Sequence, residues 1–511
     1  MRRAKQLLLH TSAMTATSLL MRTIALVFQV YVAGRIGAAG IGLFQLVMSV
    51  YTLATTVAVS GVRLAATRLI AQQTGRGDDA AIRRATGCAM GYAAFFGMAA
   101  LLLLYYLAPA AAAWVGDDRI ILSLRVLAFA LPFVAASGAM GGYFIAMHQS
   151  VKMSLVQLSE QFIRIGCTVL ALLRLGGYGL EYACGALTLG MLASEVFSFL
   201  ALLLLLASLP RREGRCRTPM LPSLLRITVP LSLSSYARSA LSTAQHLLVP
   251  RGLRLFGGGA QAALAAYGVI QGMSLPILLF PAALIAVIAD LIVPELTEAQ
   301  VQGRLRGLGY MLERLYRLGL FFSMAVAGAC FFFAHPLGEL IYSEPAAGQY
   351  IRLLAPLVPI MYMDTLVDGM LKGVGEYRAN MRYNIIDAAT GLLLVWLLLP
   401  RYGVAGYLFS ISATELLNFA LSAARLTRVT VFRLQPLCWL LTAAAAVGGW
   451  WLLRLIFGRL LSRTGQPLIL LLLVFLYLAC YGAALLLCGT LRREELSWLF
   501  SLLRGEKSPK T

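Results

Sequence analysis

The chain has 511 residues, 60% of them hydrophobic and only 13% charged, with a mean hydropathy of +0.80. That composition excludes the soluble classes and defines a polytopic membrane protein. The formal charge of +21 does not point to nucleic acid. Arg and Lys sit mainly in short loops, without Lys-rich tails or the aromatic strands of an RNA reader. The eight cysteines form no CxxC and mostly lie in apolar segments, so they read as small core residues, with neither a disulfide framework nor a metal site.

The first apolar stretch, Leu7 to Gly34, follows a basic start (Arg2, Arg3, Lys5) but is far longer than the 7–15 residues of a signal-peptide core. It is expected to be a retained first span. Near its middle lies Arg22, with Gln29 two helical turns further on nearly the same face. An arginine at that depth costs at least ~2.5–3.5 kcal/mol and faces a protein interior or a wet cavity. Arg22 is therefore either an ion-pair or snorkelling residue, or part of a cationic cavity. The second stretch carries Arg63 and Arg68; Arg68 reads as snorkelling, while Arg63 fits either role.

Apolar runs then recur between short polar breaks, giving about fourteen expected spans: 8–34, 41–71, 85–107, 120–146, 153–174, 181–208, 223–249, 264–293, 311–333, 350–371, 382–399, 404–424, 437–457 and 467–489. Pro230, Pro276 and Pro281 fall inside spans seven and eight, where each would kink a helix. After the last span, Glu494 to Gly505 places Leu496, Leu499, Phe500 and Leu503 on one face, the pattern of an interfacial helix.

Alternate loops are strongly basic (Arg76, Arg83, Arg84, Lys152, Arg211, Arg212, Arg215, Arg217, Arg304, Arg306, Lys372, Arg378, Arg428, Arg433), and the opposite set holds far fewer. The positive-inside rule makes the first set cytoplasmic, and an even span count puts both termini inside. The expected fold is that of an all-α polytopic membrane protein.

The chain also repeats itself. A shift of 216 positions lays Arg22 on Arg238, Gln29 on Gln245 and Arg35 on Arg251. A shift of 227 lays Arg125–Pro132 on Arg352–Pro359 and Glu160 on Asp387, and a shift of 220 lays Glu195 on Glu415. The expected organisation is a six-span lobe at 1–210, a second at 220–430, two further spans at 431–490 and a cytoplasmic amphipathic tail at 491–511. Six spans are even in number, so the repeats are parallel, an arrangement suited to two lobes rocking around a central site.

Two six-span lobes plus two spans resemble the multidrug/oligosaccharidyl-lipid/polysaccharide (MOP) superfamily of exporters. The segments Gly37–Ala54, Gly141–Ile165 and Tyr267–Ala299 are similar to its polysaccharide-transport branch, nearest to the stage V sporulation protein B group. The resemblance implies a location in the plasma membrane of a bacterium, movement of a polyprenyl-pyrophosphate saccharide from inner to outer leaflet, a peptidoglycan precursor as cargo, and a part in spore cortex formation. The chain departs from the branch at Gly61–Ala65, where Arg63 replaces a neutral residue.

Arginine's planar fork suits pyrophosphate oxygens, so Arg22, Arg238 and Arg63, with Gln29 and Gln245, are the candidate pyrophosphate ligands. In the second lobe Asp364 and Asp368 are four apart, and Asn384 and Asp387 three apart, each pair sharing a helix face. These oxygens suit Na⁺ or a proton as coupling ion; the bland alternatives are an Asp368–Lys372 pair and a structural role for Asp387. Glu160 and Arg164 have the spacing of a helical ion pair, and Glu195 and Glu415 read as packing or gating contacts. No cofactor and no nucleotide is expected, since the chain has no Walker A motif and no soluble domain for one. The partners are the lipid-linked substrate and the bilayer; the sequence identifies no protein partner and no metal.

Two other readings stay open. A multidrug or cation extruder of the same superfamily would use the carboxylates of the second lobe. A membrane-embedded glycosyltransferase or polymerase would need catalytic carboxylates in its outer loops, where the longest, about 334–349, offers only Glu339 and Glu344. The chain is therefore read as a transporter and not an enzyme.

Overall fold

The computed structural model describes residues 2–76, 78–147, 149–208, 220–257, 259–303, 305–432, 435–461 and 465–490. The tail helix expected at 494–505 lies outside these residues. Among the described residues there are helices and turns and no strand. The solvent dictates this. In hydrocarbon every backbone donor and acceptor must be satisfied within the protein, and a helix does so within one segment.

The chain begins with α1 (Arg2–Val59), α2 (Val62–Arg76), α3 (Asp79–Val115), α4 (Ile120–Ala128), α5 (Leu131–Ala146) and α6 (Ser150–Leu175). It continues through α7 (Leu180–Ala207), α8 (Met220–Leu255), α9 (Ala260–Val269), α10 (Leu275–Leu279), α11 (Ala282–Val301) and α12 (Leu305–Phe332). The last third holds α13 (Ala334–Tyr342), α14 (Pro345–Leu354), α15 (Val358–Gly373), α16 (Tyr377–Val429), α17 (Pro436–Leu461) and α18 (Pro467–Leu487).

Ten helices among the described residues are long and apolar enough to cross a membrane, or eleven if the bent pair α4–α5 counts as one span. The protein is a multi-pass membrane protein; the expected count of fourteen is not confirmed by this measure, which counts a continuous helical run once. Expected spans 8–34 and 41–71 fall on one nearly continuous helical run broken at Gly37 (φ 70°), and 382–399 and 404–424 fall on α16, broken at Gly403 (φ 56°). A left-handed residue turns the chain without ending the helix, and glycine is the residue that adopts it without a steric penalty. The span expected at 223–249 does form a helix, α8. Arg226, Ser232, Ser234, Ser235, Arg238, Ser239 and Gln245 leave it too polar to meet the same test.

The expected proline effects differ from one another. Pro230 sits inside α8. Before Pro276 the helix widens into a π turn, Ile270–Ser274, and Pro281 stands where α10 gives way to α11. A π turn redistributes the backbone bonds that a proline disrupts.

The chain forms two compact units. One takes in Ala16–Gly268 and Gly391–Tyr407; the other takes in Val269–Thr390 and Leu408–Thr511, with Met1–Thr15. A packing unit and a sequence repeat are different partitions, and α8, from the start of the second repeat, packs within the first unit.

In the first unit small residues bring helices close. A Cβ on Gly97 would lie 2.8 Å from the Pro132 backbone, and one on Gly142 would lie 2.7 Å from the Arg63 carbonyl. In hydrocarbon, apolar burial does not drive helices together, so van der Waals packing of this kind supplies the association. In the second unit α11 and α15 meet through Ala289 and Gly369. There α12 packs on the last two helices through Phe321, Ala325, Ala445, Ala446, Tyr481 and Leu485. Tyr477 is fully buried, and its hydroxyl donates to the Ala446 carbonyl at 3.3 Å. That hydroxyl fills a notch at Gly328, where a Cβ would lie 1.8 Å from it. Leu468, Leu471, Phe475 and Leu487 on α18 are exposed, as suits a surface in contact with lipid.

The turn between α3 and α4 is pinned electrostatically. Gly116 closes α3 in the left-handed region, and Arg254 donates to its carbonyl at 3.0 Å. Asp117 accepts from Arg119 Nε at 2.8 Å and from its terminal nitrogen at 2.6 Å. Burial alone would push the Asp117 carboxyl up; the hydrogen bonds and charge of Arg119, with Arg254 nearby, outweigh it and hold the carboxyl below the usual carboxylate range. A depressed folded-state pKa stabilises the fold above the unfolded value of about 3.9. That contribution is lost as pH falls through the folded value. Thermal midpoints followed down from neutral pH should therefore fall below about pH 4 in the wild type, and less steeply in Asp117→Asn. Parallel curves for the two proteins would contradict this reading.

Candidate functional site: a cationic set and an acidic set

The expected pyrophosphate ligands lie in the first unit. Arg22 on α1, Arg63 at the start of α2 and Arg238 on α8 are exposed. Among the described residues none of the three has an ion-pair partner within 4.0 Å. Arg63 Nε passes 3.8 Å from the position of a Cβ on Gly141 of α5. Gln29 is half-buried. Gln245 is half-buried too, and lies against α16 where Gly391 leaves room, since a Cβ there would sit 2.8 Å from Gln245 Oε1. Each of the three guanidinium groups offers a planar fork of donors to an external anion, and Arg63 also lies within electrostatic range of Glu195.

The acidic set lies in the second unit, where α15 faces both ends of α16. Asp364 Oδ2 accepts from Asn418 Nδ2 at 2.9 Å, and Asp368 Oδ1 accepts from Ser422 Oγ at 3.4 Å. Asn380 is buried and, with its carboxamide nitrogen toward Asp368, donates to both carboxylate oxygens at 3.3 and 3.2 Å. Asn384 Nδ2 donates to the Asn380 carbonyl at 3.0 Å. Asp387 and Glu415 lie within electrostatic range of Asp364. Among the described residues Asp364 Oδ1 and Asn418 Oδ1, both buried, have no hydrogen-bond partner, an uncommon state for polar oxygens inside a protein. One turn beyond, Glu376 takes a bidentate bond from Arg425, the shortest contact being 2.9 Å.

The structure thus brings Asp364, Asp368 and Asn384 into one network and sets Asp387 beside it. Sequence reasoning missed Asn380, Asn418 and Ser422. The signal was present, because Asn418 and Ser422 are four apart on the twelfth span, the same interval as Asp364 and Asp368, and the two pairs meet rung by rung.

In the first unit the expected Glu160–Arg164 pair forms, at 2.7 Å. Arg164 also reaches Glu195 at 3.6 Å and Ser194 Oγ at 3.2 Å. Glu195 is thereby part of a charged triad that joins α6 to α7. The Tyr51 hydroxyl lies within electrostatic range of all three charges and is buried with no hydrogen-bond partner among the described residues.

Long membrane helices with polar sets inside them, broken at glycines and prolines, define a membrane transporter fold. Solved structures share it. The inward-closed structure of Lipid II flippase MurJ matches with a TM-score of 0.67 at 13% identity, covering 92% of this chain and 97% of that one. An inward-facing multidrug resistance MATE family transporter of the MOP superfamily matches at 0.62 with 15% identity, covering 81% of this chain and 98% of that one. The chain belongs to the polysaccharide biosynthesis protein family, whose model matches residues 7–292. It is 25% identical over 440 residues to stage V sporulation protein B of Bacillus subtilis (strain 168), covering 83% of this chain and 85% of that protein. It is 21% identical over 425 residues to Lipid II flippase MurJ of the same organism, covering 76% and 77%. The polysaccharide branch expected from the sequence is the family found, and the fold expected for the MOP superfamily is the one the solved structures share.

Proposed function

We propose that this protein is a flippase that carries a lipid-linked saccharide from the inner to the outer leaflet by alternating access. The carrying observation is the set of exposed arginines, Arg22, Arg63 and Arg238, none of which has an ion-pair partner within 4.0 Å among the described residues. Such groups at membrane depth are costly, and a polyprenyl pyrophosphate supplies the missing charge while its tail stays in lipid. The related proteins named for lipid II flipping and for sporulation favour a peptidoglycan precursor as cargo and a part in spore cortex formation. In this reading the six-span repeats at 1–210 and 220–430 rock against each other, and both termini are cytoplasmic.

Two driving forces are compatible with the residues. An inside-negative potential contributes about 2.3 kcal/mol per charge per 100 mV to outward movement of an anion. Alternatively, Asp364, Asp368, Asn384 and Asp387, with the unpartnered oxygens of Asp364 and Asn418, take Na⁺ or a proton. The acidic set also keeps a second reading in play, extrusion of a cationic drug, favoured by the shared fold of the MATE transporters. Purified protein in proteoliposomes decides among them. A fluorescent lipid-linked peptidoglycan precursor should change leaflet only when the protein is present. A response to an imposed Na⁺ or pH gradient, lost in Asp364→Asn, would assign the coupling ion. Uptake of a cationic dye with no movement of the precursor would reject the flippase reading.

A further inference from the structure

The α8 helix is the most polar of the long helices in the first unit, and its hydroxyls are not scattered. Ser232, Tyr236, Ser239 and Thr243 fall at intervals of four, three and four. At 3.6 residues per turn they occupy about 60° of the helix circumference. Each of the four meets the second half of α1 or the break that follows it. Thr243 Oγ1 donates to the Ser49 carbonyl at 2.9 Å, and Thr56 Oγ1 donates to Ser239 Oγ at 3.3 Å. Ser232 Oγ donates to the Ser60 carbonyl at 2.9 Å, and the Tyr236 hydroxyl bonds Ser60 Oγ. Tyr92, from α3, joins the same Ser60 Oγ at 2.9 Å. Partners run down one helix as they run up the other, so the two helices form an antiparallel ladder of hydroxyls.

The ladder ends at a strained residue. Ser60 has φ 44° and Gly61 φ 69°, and among the described residues only Ser60 and Ser343 are non-glycine residues with positive φ. A serine in that region is sterically strained and persists only where its surroundings fix it. Ser60 is 2% exposed, with its hydroxyl and carbonyl both engaged.

We infer that this hydroxyl ladder sets the rotation of α8 about its own axis, and that Ser60, Ser232, Tyr236, Ser239 and Thr243 are positioning residues for Arg238 and Gln245. The inference rests on the flippase reading only for what Arg238 binds, not for how it is aimed. Between helices in lipid, apolar contact does not favour one rotation over another, and polar contacts supply the preference. On the same helical wheel Arg238 and Gln245 lie within about 20° of each other and about 130° round from the ladder. Holding the ladder on α1 therefore turns both side chains to one side. A rotation by one residue position, about 100°, would bury or misdirect them. Arg63 stands three residues beyond Ser60, so the same hub fixes the start of the helix that carries it.

The test reads orientation directly. In a full-length background without native cysteines, Arg238→Cys is labelled with a water-soluble maleimide in proteoliposomes. Adding Ser60→Ala and Tyr236→Phe should slow labelling at least threefold in protein that is still folded and monodisperse at the labelling temperature. With Arg238 in place, the same two substitutions should weaken binding of polyprenyl pyrophosphate roughly three- to tenfold and reduce its preference over polyprenyl monophosphate. Ser232→Ala alone removes one rung and should give the same direction in a chain whose folding is not at stake. Labelling at the parent rate in both backgrounds overturns the inference. If instead Arg238→Ala leaves pyrophosphate binding unchanged, the flippase assignment of Arg238 fails while the labelling still reports on the ladder.

Discussion

Proteoliposomes carrying the Arg22→Ala, Arg238→Ala double variant should flip a lipid-linked saccharide at least 10²-fold more slowly than wild type. A hydrogen bond to a charged group contributes about 1.5–3 kcal/mol, and each 1.4 kcal/mol is about tenfold. Loss of one arginine should therefore cost about tenfold or more. Lysine at either position keeps the charge but loses the planar fork, so it should fall between alanine and wild type. Arg83, exposed on α3 and outside the cationic set, provides the control: Arg83→Ala should behave as wild type. Wild-type flipping by the double variant would remove both arginines from the binding site.

The second large effect concerns the fold. Ala38 and Gly42 on α1 face Leu264 and Gly268 on α9, a four-residue interval on each helix. A Cβ on Gly42 would lie 2.1 Å from the Leu264 carbonyl oxygen, and one on Gly268 would lie 2.1 Å from the Ala38 carbonyl oxygen. Both obstacles are backbone, so no rotamer change relieves them and the helices must separate. Overpacking of this kind costs about 1–3 kcal/mol, and parting a close-packed membrane pair also gives up its van der Waals contact. Gly42→Val and Gly268→Val should lower the thermal midpoint sharply and reduce recovery of monodisperse protein. Gly34→Ala, with nothing within 4 Å of its Cβ position, should do neither. A Gly42→Val protein as stable as Gly34→Ala would show that the two helices are free to part.

Much of the architecture is legible in hydropathy, because a bilayer imposes helices wherever an apolar run is long enough. The Glu160–Arg164 pair is legible for the same local reason, since four residues along a helix fix the distance. The continuity of α16 through Gly403 is not legible: a tyrosine–glycine at 402–403 reads as a loop between two spans. The ladder on α8 is written in the sequence at the interval of one helix face. Its meaning depends on which helix it meets, and that partner begins almost two hundred residues earlier. The tie of Asn418 to Asp364 has the same character. Each side can be read as a polar stripe, but pairing the stripes is a property of packing. The Tyr51 hydroxyl left no signal, since a tyrosine in an apolar run looks the same whether or not its oxygen is satisfied.

The notch at Gly328 has a consequence in time. Tyr477 follows Gly328 by 149 residues. A ribosome adds about 5–20 residues per second, so the hydroxyl that fills the notch is made roughly 7–30 s after the helix that needs it. Until then α12 sits in the membrane with the notch at Gly328 unfilled. A newly made chain stalled before residue 477 should be held by membrane chaperones or cut by membrane proteases at α12, and should become resistant only once the last helix is inserted.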